Sequence, residues 1–101
     1  MIISDPGIDP NHVVMVNFTS DDGDRSCVVR VGEHPFVTGT SFVYYGKARV
    51  VSLRELELSV RANLLRPRAP LSPTLLDRIR QSCRRTLPGD YVQILVDQGL
   101  I

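Results

Sequence analysis

Cysteine is scarce in this chain, limited to Cys27 and Cys83, which stand far apart in neither a CxxC nor a Cys/His spacing. That pattern gives no zinc signal and makes two buried free thiols the expected state, ahead of a disulfide. No apolar run approaches the roughly 20 residues that a membrane-spanning helix needs, so a soluble domain without a membrane partner is expected. The opening segment Met1-Ile2-Ile3-Ser4-Asp5-Pro6 has neither a basic region nor an apolar core before a small-residue cleavage site. It does not read as a signal peptide, and a cytoplasmic location is the expectation. Phosphate-binding glycine loops, nucleophile elbows and carboxylate pairs spaced for glycosidase chemistry are missing too. Neither a metal nor a cofactor is expected, and no internal repeat or low-complexity tract is present.

What the chain does have is the composition of one small globular domain. Its 101 residues, 43% hydrophobic and 23% charged, suffice for one core and not for two, so residues 1–101 read as a single domain. The net charge of +1 conceals two unlike halves, since residues 1–34 sum to −4 and residues 35–101 to +5. Between positions 61 and 85, Arg61, Arg66, Arg68, Arg78, Arg80, Arg84 and Arg85 are offset only by Asp77. Such a density suits a polyanion or an acidic partner, although arginine stems lying over apolar neighbours on a solvated helix face produce the same pattern.

Along the chain, residues 1–3 are β-prone, and Asp5-Pro6-Gly7 with Asp9-Pro10-Asn11 then marks a loop. Val13 to Phe18 is a short β-branched apolar run, the pattern of a strand buried on both faces, and Asp21-Asp22-Gly23-Asp24 turns it. Ser26 to Val31 reads as a second strand, and Phe42 to Val51 as the longest, with a bulge or bend at Gly46. The period then changes. Leu53, Leu56, Val60 and Leu64 fall at helical spacing behind a capping box of Ser52 and Glu55. Arg66-Pro67-Arg68-Ala69-Pro70 is an extended linker, and Ser72 with Pro73 opens a second helix, which turns Leu75, Leu76, Ile79 and Cys83 inward and Arg78, Arg84 and Arg85 outward. Tyr91 to Asp97 makes a short third helix closed by Gly99. The fold class is α+β: a small curved antiparallel sheet or partly open barrel over residues 1–51, then two or three helices over 52–101. So few strands leave edges that a dimer would cover.

Candidate chemistry is sparse. His12 and His34, the two imidazoles, each adjoin a turn, where a structural role and a general base are both open. Thr19 and Ser20 end the first long strand, and the ordinary role of such hydroxyls is a turn or cap hydrogen bond.

The order of elements from Ile2 to Leu56 resembles the MazF/PemK family of toxin-like proteins. Ile2-Ile3-Ser4-Asp5 resembles that family's second strand and the start of its loop. Val13-Val14-Met15-Val16-Asn17-Phe18-Thr19-Ser20 resembles the next strand, which ends in a catalytic threonine, here Thr19. Ser26 to Val31, Pro35-Phe36, Ser41-Phe42-Val43 and Ala48 to Leu53 parallel the strand, turn, strand and helix that follow. Gly32-Glu33-His34-Pro35-Phe36 and Pro70-Leu71-Ser72-Pro73 are similar to a subgroup of small PemK-like proteins. The resemblance implies an SH3-like barrel and a metal-independent endoribonuclease of the mRNA-interferase type, acting on single-stranded RNA as a homodimer. It also implies a toxin-antitoxin setting with an acidic antitoxin-like partner.

In such chemistry the substrate's own 2′-hydroxyl attacks phosphorus, and the protein supplies proton transfer and charge stabilisation. The resemblance therefore assigns catalysis to Thr19, with Arg49, Arg30 and His34 as further candidates, and RNA or partner contacts to Ser20, Ser41, Arg78, Arg84 and Arg85. The family's usual catalytic arginine precedes the strand matched by Met1 to Ile3, after a first strand, and neither is in this sequence. A barrel lacking its first strand and a degenerate nuclease are thus expectations too. The alternative function is a non-catalytic module that binds an acidic partner through its arginine-rich helices.

Overall fold

The computed structural model describes residues 1–101 as one sheet with three helices. The strands are β1 (Val13–Thr19), β2 (Val28–Val29) and β3 (Ser41–Val51), and the helices are α1 (Leu53–Arg61), α2 (Pro73–Gln81) and α3 (Gly89–Asp97). A 3₁₀ turn, Ser82–Arg85, continues α2. No helix is long and apolar enough to cross a membrane.

β3 is central and pairs antiparallel with β1 on one side and β2 on the other. Val13, Val14 and Val16 are all buried, so β1 is covered on both faces as its unbroken β-branched run requires. The β1–β3 register runs from Val13 opposite Val51 to Met15 opposite Arg49, then resumes with Asn17 opposite Tyr44. Val16 alone therefore faces the four residues Tyr45 to Ala48, and this bulge, which contains Gly46, supplies curvature where a bend was expected. Residues 1–3 extend the sheet as a short edge. Ile2 bridges Met15, the Ile3 amide donates to the Val14 carbonyl at 3.0 Å, and the Val16 amide donates to the Met1 carbonyl at 2.9 Å. Beside them the buried Ser4 hydroxyl accepts from the Val14 amide at 2.9 Å.

β2 is shorter than the six residues its sequence suggests, because side chains capture the flanking backbone. Asp24 Oδ1 accepts from the Ser26 amide at 2.9 Å, and Glu33 Oε2 accepts from the Arg30 amide at 2.7 Å. The result is an open sheet rather than a closed barrel, with β2 and the 1–3 segment as separate edges.

Helix boundaries follow local chemistry. Ser52 accepts from the Glu55 amide at 3.1 Å and Ser72 from the Leu75 amide at 3.1 Å, both ordinary N-caps. α1 stops at Arg61 rather than continuing to Leu64, since Asn63 adopts a left-handed φ of 58° that ends the helix. α3 begins at Gly89, two residues before the expected Tyr91. It ends on Gly99 (φ 71°), with the Leu100 amide donating to the Leu95 carbonyl and the Gly99 amide to Val96, the paired bonds of a Schellman cap.

The core joins the two halves. Ile3, Val14, Val16, Val29, Val43 and Tyr45 from the sheet meet Leu75, Ile79, Cys83, Leu87 and Leu95 from the helices. Full burial of an aliphatic side chain of this size contributes roughly 1.5–3 kcal/mol. Cys27 and Cys83 lie in the same core as free thiols. The fully buried Tyr45 donates its hydroxyl to the Ile79 carbonyl at 2.6 Å, a direct link from β3 to α2.

Candidate functional site

Thr19 ends β1 opposite Phe42, where the strand leaves the sheet for the acidic turn. Its hydroxyl accepts from the Asp21 amide at 3.1 Å, and Asp21 in turn accepts from the Gly23 amide at 2.9 Å, so the turn is held by its own side chains. This strand end borders an open hollow of about 470 Å³. Four hydroxyl-bearing side chains line it, Thr19, Ser20, Thr38 and Ser41, together with the phenyl rings of Phe18 and Phe36. The Ser41 hydroxyl donates to the Gly39 carbonyl at 3.0 Å. No titratable side chain lines the hollow. It can therefore offer hydroxyl hydrogen bonds and aromatic faces, and it holds neither a base nor a cation on its walls.

A cation adjoins it. Phe36 is 53% exposed, and the Arg68 guanidinium carbon sits 4.9 Å from its ring centroid, within cation–π range. This pair forms because His34 ties the linker to the turn. His34 is buried, its Nδ1 accepts from the Phe36 amide at 3.1 Å, and its Nε2 lies 2.7 Å from the Ala69 carbonyl. The tautomer with the proton on Nε2 satisfies both bonds. An imidazole with both nitrogens engaged by backbone cannot take a substrate proton without giving up a bond, so His34 acts on this site as a brace. Phe18 packs beside it with ring centroids 6.2 Å apart.

The arginines scatter. Arg49 lies opposite Met15, four residues along β1 from Thr19, a distance of about 13 Å at strand rise. It lines a different groove, with Glu55 and Leu56 of α1. Arg30 follows β2 at the same end of the sheet as Thr19. Val28 and Thr19 flank Phe42 on opposite sides, which puts the Arg30 segment about 10 Å across the ladder, outside the hollow's lining. Arg78 is committed to structure, donating to Glu33 at 2.6 and 2.8 Å and to the Val28 carbonyl at 3.1 Å. The Arg78 guanidinium foremost, and then the Arg30 amide, hold the Glu33 carboxyl down to about 2. Arg80 donates from Nε to the Ile3 carbonyl at 2.7 Å. Of Arg78, Arg80, Arg84 and Arg85, only Arg84 and Arg85 are both exposed and outside any ion pair. His12 pairs with Asp9 at 2.9 Å in an exposed loop, away from the hollow.

The structure thus brings Thr19, Ser20 and Ser41 together and keeps Arg49, Arg78, Arg84 and Arg85 elsewhere. It adds Thr38, Phe36 and Arg68, which sequence reasoning missed. Phe36 follows a proline in a turn and Arg68 lies in a proline-flanked linker, and the chain between them gives no local sign that they stack. No group of three or more His, Cys, Asp or Glu side chains is placed to hold a metal ion. No family model matches the chain, and no curated protein or solved structure is significantly similar to it.

Proposed function

We propose that this chain binds single-stranded RNA at the hydroxyl-lined hollow, as the resemblance to MazF/PemK-like toxins implies, and that any cleavage there is slow. The observation that carries the reading is four hydroxyl-bearing side chains beside the exposed Phe36–Arg68 pair. Single-stranded RNA is held by base stacking on aromatic or guanidinium faces together with cationic and hydrogen-bonding contacts to its backbone. Phe36 and Arg68 supply the face and the charge, Thr19 and Ser20 supply hydroxyl donors to phosphate oxygens, and Ser41 can do so on releasing the Gly39 carbonyl.

Slow chemistry follows from the same walls. Attack by the substrate's 2′-hydroxyl needs a proton acceptor and a donor to the phosphorane, and losing one such donor commonly costs about 10²- to 10³-fold in rate. Thr19 is the inherited catalytic candidate and Arg30 the nearest candidate cation at that end of the sheet. Arg49 is too distant within one chain, and His34 positions the Phe36 turn. The homodimer implied by the resemblance would have the open sheet edges available to it.

The test is RNA binding by fluorescence anisotropy with an unstructured labelled oligonucleotide in EDTA. Phe36→Ala and Arg68→Gln should each weaken binding, the former by about 5- to 150-fold given ~1–3 kcal/mol per stacked base. Unchanged affinity in both variants overturns the reading. Prolonged incubation should give trace 5′-hydroxyl fragments that vanish in Thr19→Ala, and fully intact RNA removes cleavage from the proposal.

A second reading, an acidic antitoxin-like partner bound through the helices, is favoured by the exposed, unpaired Arg84 and Arg85. A partner captured from the source cell and lost in the Arg84→Ala, Arg85→Ala double variant would support it.

A further inference from the structure

A second concavity, of about 400 Å³, lies between α1 and the edge of the sheet. Ile2, Met15, Phe18, Leu56 and Val60 give it walls from the first residues, β1 and α1, and eight of its thirteen lining residues are hydrophobic. α1 fully buries none of its residues, and Ile2, Val60 and Leu65 remain 36–40% exposed around the groove. The linker completes the lining with Arg66 and Arg68. No aspartate or glutamate lines the groove, and neither arginine takes part in an ion pair.

We propose that this groove binds a small anionic amphiphile, an aliphatic chain of medium length carrying a carboxylate, with the chain along Met15, Leu56 and Val60 and the head group on Arg66 and Arg68. Charge complementarity decides the occupant. A carboxylate gives the two exposed guanidiniums charge-assisted hydrogen bonds that a neutral apolar ligand has no group to make. Size points the same way. Small-molecule pockets run from about 300 to 1,000 Å³, mostly apolar with a few polar groups fixing orientation, and this groove sits at the short end of that range. The inference does not rest on the RNA reading, although both sites draw on Arg68, and Val60→Asp on α1 is the variant that separates them. The groove shares Phe18 and Phe36 with the hydroxyl hollow, but its walls from α1 and residues 1–2 take no part in the hollow.

The test titrates sodium decanoate, below its micelle concentration, into isotope-labelled protein, with 1-decanol as the neutral arm. Saturable shifts at the Met15, Leu56 and Val60 methyls are expected, with 1-decanol binding at least about tenfold more weakly. Val60→Asp should abolish the shifts. The double variant Arg66→Gln, Arg68→Gln, changed only at exposed positions, should weaken binding about tenfold. Leu58→Asp, on α1 but outside the groove, should leave it intact. The proposal is overturned by absence of saturation, by equal binding of decanol, or by decanoate binding that survives Val60→Asp or the double arginine variant unchanged. A dimer in solution that Val60→Asp splits would assign the groove to a second copy and overturn it equally.

Discussion

Replacing Tyr45 by phenylalanine tests how the sheet and the helices are joined. Tyr45 is fully buried on β3, and its hydroxyl reaches the Ile79 carbonyl of α2 at 2.6 Å across 34 residues of sequence. The substitution keeps the ring, so it opens almost no cavity and isolates the hydrogen bond. A typical intramolecular hydrogen bond contributes about 0.5–1.5 kcal/mol net, and a buried acceptor left without its donor costs about 1–3 kcal/mol. The expected loss is therefore about 1–2 kcal/mol. In a domain of about 100 residues each kcal/mol moves Tm by roughly 4–8 °C, giving a fall of about 5–15 °C. Tyr45→Ala removes the ring as well and should lose about 3–5 kcal/mol, by analogy with other aromatic truncations. Urea and thermal unfolding of the three proteins read both numbers. A Tyr45→Phe protein within about 0.3 kcal/mol of the parent would show that apolar contact alone couples the halves.

The same residue has an alkaline signature. Burial foremost, with the neighbouring Cys27 and Cys83 thiols adding to it, raises the Tyr45 phenol far above its ordinary 10. The unfolded phenol ionises first, so stability is full below about pH 10 and falls as pH rises beyond it. One of the three tyrosines should give no tyrosinate absorbance until the chain unfolds.

Two further predictions concern the termini of the strands. Glu33 is held at about 2 in the folded chain against an ordinary 4.5, so its contribution is fully present above about pH 4.5 and lost as pH falls toward 2. Glu33→Gln should flatten the acid limb of a stability–pH curve over that interval, and parallel curves would refute the role given to the Arg78 pair. Ser4→Ala leaves the buried Val14 amide without its acceptor and should cost about 1–3 kcal/mol, with faster hydrogen exchange at Val14 as the direct readout. Unchanged exchange there would mean that another group takes the amide.

Short-range chemistry is enough to place much of this fold. Ser52 and Ser72 cap helices because an N-cap bond spans only three residues. The β-branched run of β1 and the apolar spacing of Leu75 and Ile79 likewise show which side chains are buried, and turns such as Asp21-Asp22-Gly23-Asp24 punctuate the strands. These patterns are complete within one or two turns of chain, so neighbours in sequence suffice to read them. The open sheet with its order β1–β3–β2, the early end of α1 at Asn63 and the two-residue length of β2 are not legible in this way. Each depends on a competition, between ladder bonds and side chains such as Asp24 and Glu33, or between helical spacing and a left-handed residue.

The strand end at Thr19 is visible in the sequence, but its surroundings are not. Arg78 lies 45 residues from Glu33 and His34 lies 35 from Ala69. Only the packed core brings those pairs together, making an anchor of an arginine that still faces outward and a brace of a candidate base. Folding likewise separates Arg49 from Thr19 along β1 while bringing Arg68 onto Phe36. Charge and hydroxyl content belong to the chain, but which charge stands near which hydroxyl is set by strand register and by the linker's path, both fixed by contacts between residues distant in sequence.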